Sequence, residues 1–287
     1  MTLDSRGMLW SLLAVAAALL FALAGVLYRK GVSGSSLHPL LASGLRAGPA
    51  FTVMLLAFLA SGGSMAKPLE FYAVATASAV FAFFLGDSLF IYGLSRSPVG
   101  VVYPVAYTYP FPVALFSFLL TGKTPRPAAL IAAALVAIGM WVVYNGGSGY
   151  TARGLLAGLG ASLSWGMGIT LAYIALRYAT PVELNLYRTG FLLAATAPAL
   201  ARRVGEVRQA RVGWVMLGGL MGIGLGPLAL FTSMRMSDAV GPSVVSSGAP
   251  VFAVLLAAPI LGEKVEARYL AGALLVSVAT AVVSLWG

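Results

Sequence analysis

Three ionisable residues stand inside long apolar runs: Arg46, Asp87 and Arg188. A charge at membrane depth is costly, so by default it marks a substrate or ion pathway. Arg46 and Asp87 each fall about 12 Å from the same end of their predicted helices, so the two can share a depth and pair. Such a pair suits a zwitterionic substrate or proton coupling through Asp87. The alternatives are a structural ion pair or arginines reaching for the interface. A second group lies in the apolar segment 99–121, where Tyr103, Tyr107 and Pro110 are spaced i, i+4, i+7 and share a helix face. Displaced by 140 residues, the same positions read Ser243, Ser247 and Pro250. One copy offers phenols and the other hydroxyls to a polar substrate; hydroxyls bonded to their own helix are the alternative. A proline within a helix frees the carbonyl four residues back, which makes Pro110 and Pro250 candidate hinges. Trp165 sits mid-segment beside Gly166 and Gly168, away from the interface that tryptophan prefers, so it either lines a cavity or packs on those glycines.

The elements that must position these groups are membrane spans. The 287 residues are 60% hydrophobic and 9% charged, against about 25% charged in soluble domains. Mean hydropathy is +0.94, which describes a polytopic membrane protein. Ten segments are long enough to cross: 8–28, 38–60, 71–95, 99–121, 127–145, 153–176, 182–200, 213–234, 240–261 and 268–286. The breaks between them carry turn residues, as at Gly31–Ser36, Ser61–Lys67 and Asn145–Gly149. The first apolar run is longer than a signal-peptide core and reads as a retained helix. There is no cysteine, and the single histidine, His38, leaves no metal cluster and no Ser–His–Asp set, so neither a metal nor a catalytic residue is assigned. The net charge of +10 lies in short loops, where it reports topology and anionic headgroups rather than nucleic acid.

The segment Ser97–Gly122 recurs at Ser237–Gly262, with Pro110 on Pro250 and Gly122 on Gly262. Leu85-Gly86 recurs at Leu225-Gly226, Arg46 at Arg188, Pro39 at Pro181, and Phe21-Ala22 at Trp165-Gly166. The acid is not duplicated: Pro227 stands where Asp87 would be. Residues 1–148 and 149–287 are therefore predicted to be two units of five spans each. Because five is odd, the second enters the membrane from the opposite side. The expected fold is an all-α membrane protein with ten transmembrane helices built as two inverted five-helix repeats, the arrangement used for alternating access. By this symmetry Arg46 and Arg188 would lie near opposite membrane faces. The loop cations are in excess on the side opposite the termini, owing to Arg202, Arg203, Arg208 and Arg211, which would place both termini outside.

Ten spans in two halves, Trp165-Gly166 in the first helix of a half, an early arginine in the second (Arg46, Arg188), and Pro250 ahead of Gly262-Glu263 resemble the EamA family of the drug/metabolite transporter superfamily. Pro110 with Gly122-Lys123 repeats that ending less closely. The resemblance implies a helical basket around a central cavity lined by Asp87, Tyr103, Tyr107, Trp165, Ser243 and Ser247. It also implies cytoplasmic termini, against the loop-charge count. The expected function is that of a secondary transporter in the plasma membrane, exporting or exchanging amino acids or related small metabolites, and not an enzyme. It needs a small-molecule substrate and the bilayer as partners, no cofactor, and protons if Asp87 couples them. A lipid or nucleotide-sugar carrier of the same superfamily is the alternative. An intramembrane enzyme finds no nucleophile–base pair here.

Overall fold

A chain this apolar must satisfy its backbone within its own helices. The computed structural model describes residues 5–32, 39–97, 99–124, 127–144, 151–203, 205 and 211–262, with isolated positions between 267 and 282. Among these residues the chain is helical throughout and forms no strand. Six helical rods are long and apolar enough to cross a membrane: Met8–Val32, Leu41–Ser61, Leu69–Arg96, Ala152–Ala175, Val212–Met236 and Val240–Leu261. Of the other four expected spans, 127–145 corresponds to the helix Pro127–Tyr144, and 182–200 to Pro181–Arg202, which carries Glu183 and Arg188. Segment 268–286 is described only at isolated positions, while His38, Asn145–Gly149, Glu263 and Arg208 lie outside the described residues.

The remaining segment, 99–121, differs from expectation. It is two helices, α6 (Val99–Ala106) and α7 (Pro110–Thr121), separated by a turn at Tyr107–Tyr109. The second occurrence is divided in the same place, into Val240–Ser246 and Ala249–Leu261. The prolines therefore do not kink a continuous helix. Pro110 opens its helix and Pro250 is the second residue of its own, where a missing N–H costs nothing. The turns match bond for bond: Tyr107 N–H donates to Tyr103 O (2.8 Å) and Ser247 N–H to Ser243 O (3.0 Å). Each copy then ends on a glycine at φ 69° or 71°, Gly122 and Gly262, the left-handed cap that glycine takes without strain.

A further duplicated feature is a π turn, at Val80–Gly86 and again at Leu220–Leu225. Asp87 follows the first turn directly, and Pro227 stands two residues after the second. The wider helix leaves carbonyls without their usual partners. In the second copy the Asn185 amide supplies them, donating to Ile223 O (3.0 Å) and Gly224 O (2.9 Å).

Small residues set how the rods pack. The first helix, Ser5–Val32, runs antiparallel to Val212–Met236: Ser233 Oγ donates to Trp10 O (2.7 Å), Phe21 lies on Gly226, and Tyr28 lies on Gly218. Ala152–Ala175 runs antiparallel to Leu69–Arg96 in the same manner, with Ser78 Oγ donating to Gly168 O (2.6 Å) and Trp165 lying on Gly86. The helix Pro181–Arg202 runs antiparallel to Leu41–Ser61, with Gly44 against Thr196, Gly190 against Phe51, and Gly63 against Glu183. At its start, Thr180 and Glu183 form a capping box. Glu183 also accepts from Ser64 N–H (2.9 Å) and Lys67 Nζ (2.8 Å), which ties the loop after Ser61 to this helix start.

Candidate functional site

The rods enclose a cavity of about 70 Å³. One water needs about 10–15 Å³ on this scale, so the space takes several waters or a small solute. Much of its wall comes in pairs. Ala82 and Gly222, Asp87 and Pro227, and Phe90 and Leu230 stand 140 residues apart and all border it. Arg46 with Arg188, and Phe21 with Trp165, border it at slightly larger displacements.

Asp87 is placed by the end of the first π turn. Its Oδ2 accepts from Arg46 Nη2 at 3.0 Å and its Oδ1 from Trp165 Nε1 at 2.7 Å. The pair is nearly dry, with 1% of the Arg46 side chain and 11% of the Asp87 side chain exposed. Arg46 sits at a break between the helices Pro39–Leu45 and Ala47–Ser61, where its backbone lies against Gly219: a Cβ there would stand 2.5 Å from Arg46 O. Its guanidinium also donates to Ser43 Oγ (3.3 Å) and lies 4.9 Å from the Tyr28 ring centre. Trp165 reaches Asp87 because Gly86 has no side chain; a Cβ on Gly86 would stand 2.9 Å from the indole nitrogen.

Arg188 borders the same cavity as Arg46. Arg188 is held differently from Arg46. Its guanidinium carbon lies 4.1 Å from the Phe83 ring centre and 4.9 Å from that of Phe231, a cation–π arrangement.

Tyr107 lies in the wall, stacked on Tyr103 at 4.9 Å and edge-on to Trp165 at 5.5 Å. The Tyr103 ring stays behind it, and its hydroxyl donates to Phe21 O (2.8 Å). Ser243 and Ser247 are buried away from the cavity. Their hydroxyls donate to Ala239 O and Val244 O of their own helix, both at 2.6 Å. Two tyrosines not anticipated from the sequence also line the space, Tyr28 and Tyr109. The Tyr109 hydroxyl meets Ser246 Oγ at 2.6 Å, so the two divided helices touch at their breaks. Tyr109 precedes Pro110 directly, a signal available in the sequence; Tyr28 has no counterpart in the second copy and left none. Among the described residues, no cluster of His, Cys, Asp and Glu could hold a metal ion.

The pattern of the EamA-like transporter family matches the chain twice, over residues 8–145 and 152–285. The chain belongs to that family, and is an integral, multi-pass membrane protein of the transporter class. It is 29% identical over 266 residues to an uncharacterized transporter of Archaeoglobus fulgidus, covering 92% of this chain and 94% of that protein. A protein of known crystal structure shares the fold, with a TM-score of 0.73 at 21% identity, over 97% of this chain and 99% of the other.

Proposed function

We propose that the chain is a secondary transporter that exports or exchanges amino acids or related small metabolites across the plasma membrane by alternating access. The observation that carries this is the central cavity, which joins a buried carboxylate, two arginines and an aromatic wall. A zwitterion needs both signs of charge, and the tyrosines and Trp165 add ring faces for an ammonium group. The proposal includes ten spans in two inverted five-helix repeats, 1–148 and 149–287. The duplicated π turns, helix breaks and glycine caps support the repeat. The antiparallel packing of Leu41–Ser61 on its counterpart Pro181–Arg202 supports the inversion. The divided helices, which meet through Tyr109 and Ser246, would serve as the moving joint, with Pro110 and Pro250 at the hinges.

Liposomes loaded with labelled amino acids test the reading. Efflux of at least one of them, absent from empty liposomes, is expected. If protons couple to transport, Asp87→Asn abolishes acceleration by a pH gradient; wild-type pH dependence in that variant would exclude coupling through Asp87. A carrier of anionic lipid or nucleotide sugar is the second reading. The meeting of Arg46 and Arg188 in one cavity favours it, while the small volume and the central carboxylate stand against it.

A further inference from the structure

Arg188 is 1% exposed, borders the cavity, and leaves Nε and Nη1 without a hydrogen bond. Among the described residues, no carboxylate lies within ion-pair distance of it. The rings of Phe83 and Phe231 clamp its faces but cannot satisfy its N–H edge. The repeat explains the missing partner. Arg46 meets Asp87, whereas the counterpart of Asp87 beside Arg188 is Pro227, which also borders the cavity and carries no charge. Asp87 lies across the same cavity but is taken by Arg46, and a buried cation without a directly paired anion is destabilising. An arginine held that way beside an open space is poised for an anion from outside the chain.

The kind of anion follows from charge. Arg46 and Asp87 cancel, so Arg188 leaves the site with one positive charge. A carboxylate neutralises it and fits the planar guanidinium edge with two parallel hydrogen bonds. A phosphate monoester, at roughly −1.5 to −2, would overshoot beside Asp87. Resting on the transporter reading above, we infer that Arg188 is the carboxylate-binding group of the cavity, and that the substrate is a solute bearing a single carboxylate. The substrate's carboxylate takes, in the second copy, the place that the Asp87 side chain takes in the first.

Equilibrium binding to the purified full chain tests this, using the twenty L-amino acids and their methyl esters. The wild type is expected to bind one or more acids at least tenfold more tightly than the matching ester. Arg188→Gln should remove that preference by weakening the acid and leaving the ester unchanged, and Arg188→Lys should retain part of it. Because Arg188→Gln could fail to fold, Pro227→Asp gives an independent arm. It supplies the missing acid, so it should fold with an undiminished melting temperature and lose acid binding at least tenfold. Equal binding of acid and ester, acid binding unchanged by Arg188→Gln or Pro227→Asp, or no binding by any acid would each overturn the assignment. Flux of esters or amines in place of acids would also overturn it and leave the transport reading standing. Acid binding without any flux would sink transport and leave Arg188 as a carboxylate site.

Discussion

At Asp87 two neighbours from different helices share one carboxylate, and each engages a different oxygen. Removing one member of a buried pair leaves the other charge uncompensated, at a cost of about 3–5 kcal/mol. Arg46→Gln and Asp87→Asn should each destabilise the protein by that order, and the double variant by clearly less than their sum. Thermal unfolding in detergent, read as a double-mutant cycle, checks this; additive losses would mean the pair is not coupled. The pairing itself was legible in the sequence, because equal distances from the helix ends put Arg46 and Asp87 at one depth. The roles of Ser243 and Ser247 were not, because helical spacing gives a face but not which neighbour that face meets. Here it meets other helices, and the hydroxyls fold back onto their own backbone.

The helices bring these residues together through glycine. At the junction of π turn and α-helix, Gly86 lets Trp165 lie against the backbone, and Gly226 does the same for Phe21. Leu85-Gly86 and Leu225-Gly226 were visible as a repeat in the sequence, but the reason for them is this contact. Gly86→Ala would place a methyl group 2.6 Å from Trp165 Cδ1 and push the indole off Asp87. Overpacking of this kind costs about 1–3 kcal/mol. The expected result is a red shift in tryptophan emission with reduced transport, whereas Gly226→Ala should lower stability by a similar amount and leave the Asp87 environment intact. Equal spectral shifts in both variants would contradict the contact. The helix breaks were only half legible. Proline marked where the helix is disturbed, but not that three residues would turn before it, since a turn depends on the bonds that Tyr107 and Thr108 find nearby.

Across the whole molecule, the rods pack antiparallel in pairs, and residues from both halves of the chain line one cavity. Composition and periodicity made the membrane class and the duplication plain. They could not place Arg188 and Arg46 on one cavity, because depth along a helix says nothing about which neighbours its face meets. The central claim is that this cavity opens in turn to each side of the membrane. The natural chain has no cysteine, so a single one can be introduced without background. Ala82 borders the cavity, and Leu119 is 63% exposed on the outer surface of the helices. The most direct test is labelling of Ala82→Cys in sealed vesicles by a membrane-impermeant thiol reagent applied from one side and then from the other, with Leu119→Cys as the control. The account predicts that Ala82→Cys reacts from both sides and that a transported amino acid slows both reactions. Reaction from one side only, or reaction that no amino acid affects, would contradict it.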